Sequence, residues 1–382
     1  MGQPGGYGTF EFKSLPPPPP ETGHYLLAPK GGSPLKGGHG RVLRGGGPKI
    51  ARAPGGVIAP PAPSPQAPSP LATYAGQADS NVSVPPDTHG AVGPSHIMSV
   101  HNTRVRIQDR LGNQQSQQTL QAFWDASGVS PVCPGPSPCA FDPKVFYDEE
   151  TSRWVFVSMT HAASANSAIL VAVSANSDPT GVWYARAYDA DAANFTWADY
   201  PTVGINTKWI SVGASMFVSS MTSNAFNGTK IWVFEKSQLI APGAVTPHML
   251  KPFFDQTGDG LGFTLQAAIT YDNSQADLFL LDSGWLETAS GPSLVRISKI
   301  TGPVATPSWE IVTTNDPAGQ GYLQLAATFD YYPAAAQQLG SASKLDTGDA
   351  RVLSSVFRNG HLWFSLTGGL PFGAPTRAGA YW

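Results

Sequence analysis

The sequence predicts an all-β fold, a β-propeller of about five blades with six or seven as alternatives, and three observations predict it. Glycine (41) and proline (36) make up about a fifth of the 382 residues, while aromatic residues reach 10 % and charged residues only 13 %. Such a mixture suits many short strands joined by turns. From Val82 onward short β-rich runs recur with turn residues between them, and no comparable run of helical period occurs. Finally, a weak repeat heads these runs. Pro-Pro-Asp-Thr-His-Gly-Ala-Val-Gly (85–93), Phe-Asp-Pro-Lys-Val-Phe-Tyr-Asp (141–148) and Ala-Asp-Tyr-Pro-Thr-Val-Gly-Ile (198–205) each set an Asp and a Pro before a short apolar strand, with Asp87, Asp142 and Asp199 spaced by 55 and 57 residues.

Residues 265–272 and 349–357 supply a fourth and a fifth start of the same texture. Four strands with their turns occupy about 40–60 residues, the length of a propeller blade. Expected strands include His96–Asn102, Thr103–Gln108, Trp154–Thr160, Ile169–Ser174, Trp183–Tyr188, Trp209–Ala214, Lys230–Phe234, Val352–Phe357 and Leu362–Leu366. A β-sandwich is the competing architecture. The chain ends at Ala380-Tyr381-Trp382 in what reads as a strand, so the fifth blade is expected to be incomplete. Residues 1–70 hold 16 prolines and 15 glycines with no strand or helix period, and cannot bury enough surface to offset their ordering entropy. Residues 1–82 are therefore expected to be a disordered Pro/Gly-rich segment and 83–382 the propeller domain.

A net charge of −3 argues against nucleic acid as a partner, because neutralising phosphates needs a concentrated basic surface. The basic stretch Lys30–Arg52 reads as a solvated linker. No run of 18 or more apolar residues is present, so no membrane-spanning helix is expected. The two cysteines, Cys133 and Cys139, bracket a Pro-Gly-Pro-Ser-Pro loop and are expected to form a disulfide. A pair of thiolates without a neighbouring Cys or His pair does not complete a tetrahedral metal site. The disulfide implies an oxidising compartment, hence a secreted or periplasmic protein, although the N-terminus lacks the apolar core of a signal peptide. Three Asn-x-Ser/Thr sequons, at Asn81, Asn194 and Asn227, are compatible with export.

Read as a set, several motifs resemble an uncharacterised family of secreted bacterial β-propeller proteins. The matching segments are 85–94, 142–148 with Arg153 and Trp154, Ser174 to Trp183, 198–204, and Asp349 to Trp363. The resemblance covers nearly all of residues 83–382 and implies a propeller without a settled activity. More distantly, the Ser-Asp-Pro-Thr-Gly-Val-Trp turn (177–183) is similar to turns of five-bladed glycosidases and to the Asp-box of sialidases. There Asp178 is expected to accept backbone N–H bonds, Gly181 to take a positive φ and Trp183 to pack between blades.

In a propeller a group repeated just before each first strand recurs around one mouth of the central channel. Asp87, Asp142 and Asp199 are thus expected to face a common funnel. Crowded carboxylates raise at least one pKa or recruit a cation, and a protonated acid beside an ionised one is what glycoside hydrolysis requires. The plainer reading, ranked ahead of catalysis, is that each Asp caps a turn or holds a cation. As an enzyme, Asp142 would be base or nucleophile and Asp199 would position substrate or tune the acid, with Glu235 or Asp259 as candidate acids. His89, Trp197, Tyr200 and Arg351 are expected to bind substrate, Trp197 by presenting its ring to a sugar face from a loop. Trp124, Trp154, Trp183, Trp209, Trp232 and Trp363 are expected mainly to pack blades. Asp255 and Asp259, among glycines, weakly resemble a calcium loop, so Ca²⁺ is the one ion considered and no cofactor is required.

The expected function is a monomeric, extracellular carbohydrate-active propeller that hydrolyses glycosidic bonds of a polysaccharide. One alternative is a non-catalytic propeller that binds glycan or protein. A polysaccharide lyase is a further one, with His89, Tyr147 or Tyr200 as base near an arginine.

Overall fold

The structure, a computed structural model, describes residues 5–18, 25–26, 69, 73–78, 83–131, 133–134, 138–219, 225–250, 264–283, 294–312, 322–324, 335–337, 339–340, 342–371 and 376–382. Among these, the strands after residue 88 follow one another in five antiparallel groups. Blade 1 comprises His89–Val92, His96–His101, Arg104–Asp109 and Gln114–Thr119 in that spatial order. Blade 2 is Ala140–Asp148, Arg153–Thr160, Ala168–Ser174 and Val182–Asp189, and blade 3 is Thr196–Ile205, Trp209–Val218, Phe226–Glu235 and His248–Met249. Blade 4 runs Gln266–Ala267, Leu278–Asp282 and Leu294–Thr301, with Ser308–Ile311 and Tyr322–Gln324 both pairing to its third strand. In blade 5, Val352–Arg358, His361–Leu370 and Arg377–Tyr381 are the described strands.

Burial shows why this is a propeller and not a sandwich. A sandwich has one core between two sheets, whereas here successive sheets share successive cores. In Arg153–Thr160, Trp154 and Phe156 pack toward blade 1 with Met98, Val105 and Phe123, while Val155 and Val157 pack toward blade 3 with Val203, Ile210 and Val212. A strand covered on both faces has no polar side to present, and residues 154–157 of this one are correspondingly a continuous apolar run. Blade 3 meets blade 4 through Trp209, Ile231, Leu265, Leu278 and Ile300, and blade 4 meets blade 5 through Leu281, Val295 and Val352. Where the first strands of blades 3, 4 and 5 meet they pair in parallel, with Ile269 bridging Ile205 of blade 3 and Val356 of blade 5. Gly204 permits this approach, since a Cβ there would lie 2.4 Å from the Ala267 Cβ.

Among the described residues several elements depart from expectation, one being Tyr25–Leu26 in the segment expected to be disordered, which pairs in parallel with Ser83–Val84. Residues Gly6–Glu11, expected to be structureless, form a strand that pairs antiparallel with Val182–Asp189 at the outer edge of blade 2. The reason is Phe12. It is fully buried beside Phe123, ring centroids 5.6 Å apart, and Phe12 and Lys13 donate backbone N–H bonds to Gly181 and Thr180 at 2.9 Å. Two short helices, Leu120–Asp125 and Lys236–Leu239, also interrupt the strands. The first carries Trp124 into the core between blades 1 and 2. Trp154, Trp183, Trp209 and Trp232 are buried as expected, but Trp363 of blade 5 is 57 % exposed. No helix among the described residues is long and apolar enough to cross a membrane.

Candidate functional site

At the start of the first strands of blades 1 to 4 the backbone makes the same unusual move. Asp87 (φ 45°), Asp142 (φ 50°), Tyr200 (φ 53°) and Thr264 (φ 65°) all lie in the left-handed region. A short polar side chain such as Asp tolerates it, but a bulky residue there is an outlier. Each such residue costs of order 1–3 kcal/mol and persists only where the surroundings over-determine it. In blades 2 and 3 the conformation coincides with a bulge: the pairing of Phe141 with Met159 resumes at Lys144 with Val157, and that of Asp199 with Ser215 resumes at Thr202 with Gly213. Two residues beyond each left-handed position stand His89, Lys144, Thr202 and Gln266. All four line one cavity of about 410 Å³.

That cavity is the channel, for its wall takes residues from every blade: His89–Val92, Lys144–Tyr147, Tyr200–Val203, Gln266 with Ile269, and Leu353–Val356. At its mouth Tyr200 is the organising side chain. Arg351 places its guanidinium 4.6 Å from the Tyr200 ring centroid, and the Lys144 ammonium lies 5.6 Å from the same ring. Cations over an aromatic face are attracted by its quadrupole. Arg351 is aimed by a fork to Asp349, Nε to Oδ1 at 2.7 Å and Nη2 to Oδ2 at 2.6 Å. His89 Nδ1 accepts the Val145 N–H at 3.3 Å. Burial, with Lys144 adding to it, holds the His89 pKa down at about 4, so the imidazole is neutral at pH 7. His89, Tyr200 and Arg351, expected separately to bind substrate, thus come together.

The three aspartates do not form the expected ring. The bulge residue equivalent to Asp142 is Tyr200, so Asp199 falls one position short, and near-equal spacing had paired the wrong residues. The cavity is lined by none of the three carboxylates. Asp142 and Asp199 are each only 3 % exposed, and Asp199 Oδ1 accepts the Tyr200 N–H at 2.9 Å. Asp87 is half-buried and accepts from Asn102 Nδ2 at 2.7 Å. Asn102, fully buried, also donates to the Pro85 carbonyl at 2.8 Å and accepts the Asp142 N–H at 2.7 Å. One amide therefore ties the left-handed residues of blades 1 and 2 together.

Other expectations fall elsewhere. Trp197 lies within the strand Thr196–Ile205, is 1 % exposed and packs against Phe141 and Phe217, so it presents no face to a ligand. Glu235 binds Gln238 Nε2 at 2.6 Å and stands 3.3 Å from His248 Nε2, off the channel wall. Asp178 is structural as expected, accepting the Thr180 N–H at 2.9 Å. Gly181 is not in the left-handed region, so its expected positive φ is corrected. Tyr147 lines the cavity and packs on Trp154. Asp255 and Asp259 lie outside the described residues. Cys133 and Cys139 are joined by a disulfide.

Fold and channel together define the class, a five-bladed β-propeller with a polar, tyrosine-centred channel mouth. No protein-family model matches the chain, and no curated protein matches it. Among solved structures it is similar to the native arabinanase of Bacillus subtilis (15 % identity over 77 % of this chain and 92 % of that one, TM-score 0.38). It is likewise similar to a Cellvibrio cellulosa α-L-arabinanase (12 %, 74 % and 86 %, 0.36) and to a xylan β-1,4-xylosidase of Bacillus halodurans (9 %, 77 % and 52 %, 0.34). The activities in those names belong to those proteins.

Proposed function

We propose that this is an extracellular or periplasmic carbohydrate-active propeller that binds a polysaccharide at the channel mouth and hydrolyses its glycosidic bonds there. The observation that carries the reading is the convergence of all five first strands on one cavity, with Tyr200, Lys144 and neutral His89 on its wall and Arg351 packed on the Tyr200 ring. A tyrosine ring offers a flat apolar face to a sugar, while amine, guanidinium and imidazole groups supply hydrogen bonds to hydroxyls. Asp142, whose buried carboxylate stands two residues behind Lys144 of the wall, is the base or nucleophile in this reading and reaches substrate by a turn of its side chain into the cavity. Asp199, which accepts the backbone N–H of Tyr200, positions substrate or tunes the acid. The disulfide supports an oxidising compartment. Release of reducing ends from a polysaccharide panel by wild type, lost in Asp142→Asn at unchanged thermal midpoint, is the expected result. Full activity in Asp142→Asn would overturn hydrolysis through that residue.

The stacking of Arg351 on Tyr200 favours a second reading, elimination on an acidic glycan. Arg351 would neutralise the uronate carboxylate while Tyr200 or His89 removed the proton beside it, and the glycosidic oxygen would leave to form an unsaturated end. The two chemistries separate by product, because only elimination creates a new carbon–carbon double bond with its ultraviolet absorbance.

A further inference from the structure

Beside the disulfide stands a residue that spacing alone did not connect with it. His161 lies in the turn that follows Arg153–Thr160 of blade 2, 22 residues beyond Cys139, in a left-handed conformation (φ 57°). Its backbone N–H donates to the Cys139 carbonyl at 3.2 Å. A ligating atom from each of Cys133, Cys139 and His161 lies within 4.8 Å of the other two. The imidazole is buried, and Thr160 Oγ1 sits 2.9 Å from its Nδ1. In the tautomer whose Nδ1 proton goes to that hydroxyl, Nε2 is the ligating nitrogen, and such an outer partner orients the ring.

We propose that Cys133, Cys139 and His161 form a metal site, gated by the disulfide, which takes Zn²⁺ when the sulfurs are reduced. In a tetrahedral zinc site with Zn–S about 2.3 Å and Zn–N about 2.0–2.1 Å, ligand atoms stand roughly 3.5–3.8 Å apart. The observed cluster is within a small side-chain movement of that, and the Cα separation of 5.8 Å needs no backbone rearrangement. Two thiolates and one imidazole select a soft cation over Ca²⁺ or Mg²⁺ and leave the fourth position to water. A dithiol reductant supplies two electrons and two protons. The S–S bond breaks, two thiols form and the reductant becomes its own disulfide. Zn²⁺ then displaces the two thiol protons. The same three side chains therefore fasten the loop ahead of the Ala140–Asp148 strand in either redox state, by a covalent bond or by a metal.

The test uses the full chain, treated with a dithiol, freed of reductant under nitrogen and titrated with Co²⁺ and then Zn²⁺. One Co²⁺ per chain is expected, with thiolate-to-cobalt charge-transfer bands that Zn²⁺ abolishes, and none in the oxidised protein. Thr160→Val should weaken binding by about 10–100-fold through loss of the outer partner, and His161→Gln by more. Oxidised His161→Gln, whose circular dichroism should match wild type, controls for folding. X-ray absorption on zinc-loaded wild type should independently count two sulfur ligands and one imidazole nitrogen. Absence of cobalt binding after reduction, affinity unchanged in His161→Gln, or a spectrum without nitrogen would each overturn the proposal.

Discussion

Replacing Asn102 by alanine tests how the channel mouth is held. The Asn102 amide is fully buried and makes three side-chain bonds, to the Pro85 carbonyl, the Asp87 carboxylate and the Asp142 N–H, all between 2.7 and 2.8 Å. Neutral bonds of this kind contribute roughly 0.5–1.5 kcal/mol each and one to a carboxylate about 1.5–3 kcal/mol. Truncation moreover strands the Asp142 N–H, itself a buried group, so about 3–5 kcal/mol of destabilisation is expected. Urea unfolding followed by tryptophan fluorescence reads this as a lowered midpoint at unchanged slope. Asn102→Asp keeps the acceptor for Asp142 but turns a carboxylate toward Asp87, so it should be at least as damaging at neutral pH and recover partly as the pH falls. A loss below about 1 kcal/mol in Asn102→Ala would refute the claim that this amide joins blades 1 and 2.

Three further outcomes follow from the same geometry. His89 takes its proton near 6.5 when unfolded and only near 4 when folded. The unfolded state therefore binds more protons between those values, and stability falls by up to ~3 kcal/mol as pH drops from 6.5 to 4; His89→Gln should flatten that slope, and an unchanged slope would contradict the assignment. Phe12→Ala should cost about 3–5 kcal/mol and expose residues 6–15 to protease, whereas a protease pattern like wild type would mean that the N-terminal strand is not held by this ring. Tyr200→Ala should weaken glycan binding roughly tenfold, about 1.4 kcal/mol, by removing the ring that a sugar would lie on, while Tyr200→Phe keeps the ring and most of the affinity; equal loss in both would point to the hydroxyl instead.

Much of the fold was legible because blade strands announce themselves chemically. Arg153–Thr160 and Ala168–Ser174 are buried on both faces and carry the apolar runs Trp-Val-Phe-Val and Ala-Ile-Leu-Val-Ala-Val. Gln114–Thr119, by contrast, is an outer strand with no apolar residue at all. Nothing in its composition separates it from a loop, and only its pairing with Arg104–Asp109 makes it a strand. The segment around Phe12 carries too few apolar residues to stand alone, and its order comes entirely from the blade edge it joins.

The site was half legible for a different reason. Counting residues between aspartates located the blade starts but could not see the bulge, which inserts a residue and moves the repeat from Asp199 to Tyr200. Trp197 was misplaced by the same slip, since a strand that begins at Thr196 leaves no loop from which to present it. Tyr200 and Arg351 belong to blades far apart in the chain, and their stacking follows from the closing of five first strands around one channel. His161 reaches the cysteines through a hairpin whose length no metal-binding motif prescribes.

The measurement that bears most directly on the channel mouth as a sugar site is a crystal structure with a bound oligosaccharide, taken from whichever polysaccharide the protein retains in a binding screen. A sugar ring lying on Tyr200, within hydrogen-bond reach of Lys144, Arg351 or His89, is the predicted result. A ligand seated on an outer blade edge or at the far end of the channel, with the Tyr200 face bare, would contradict it.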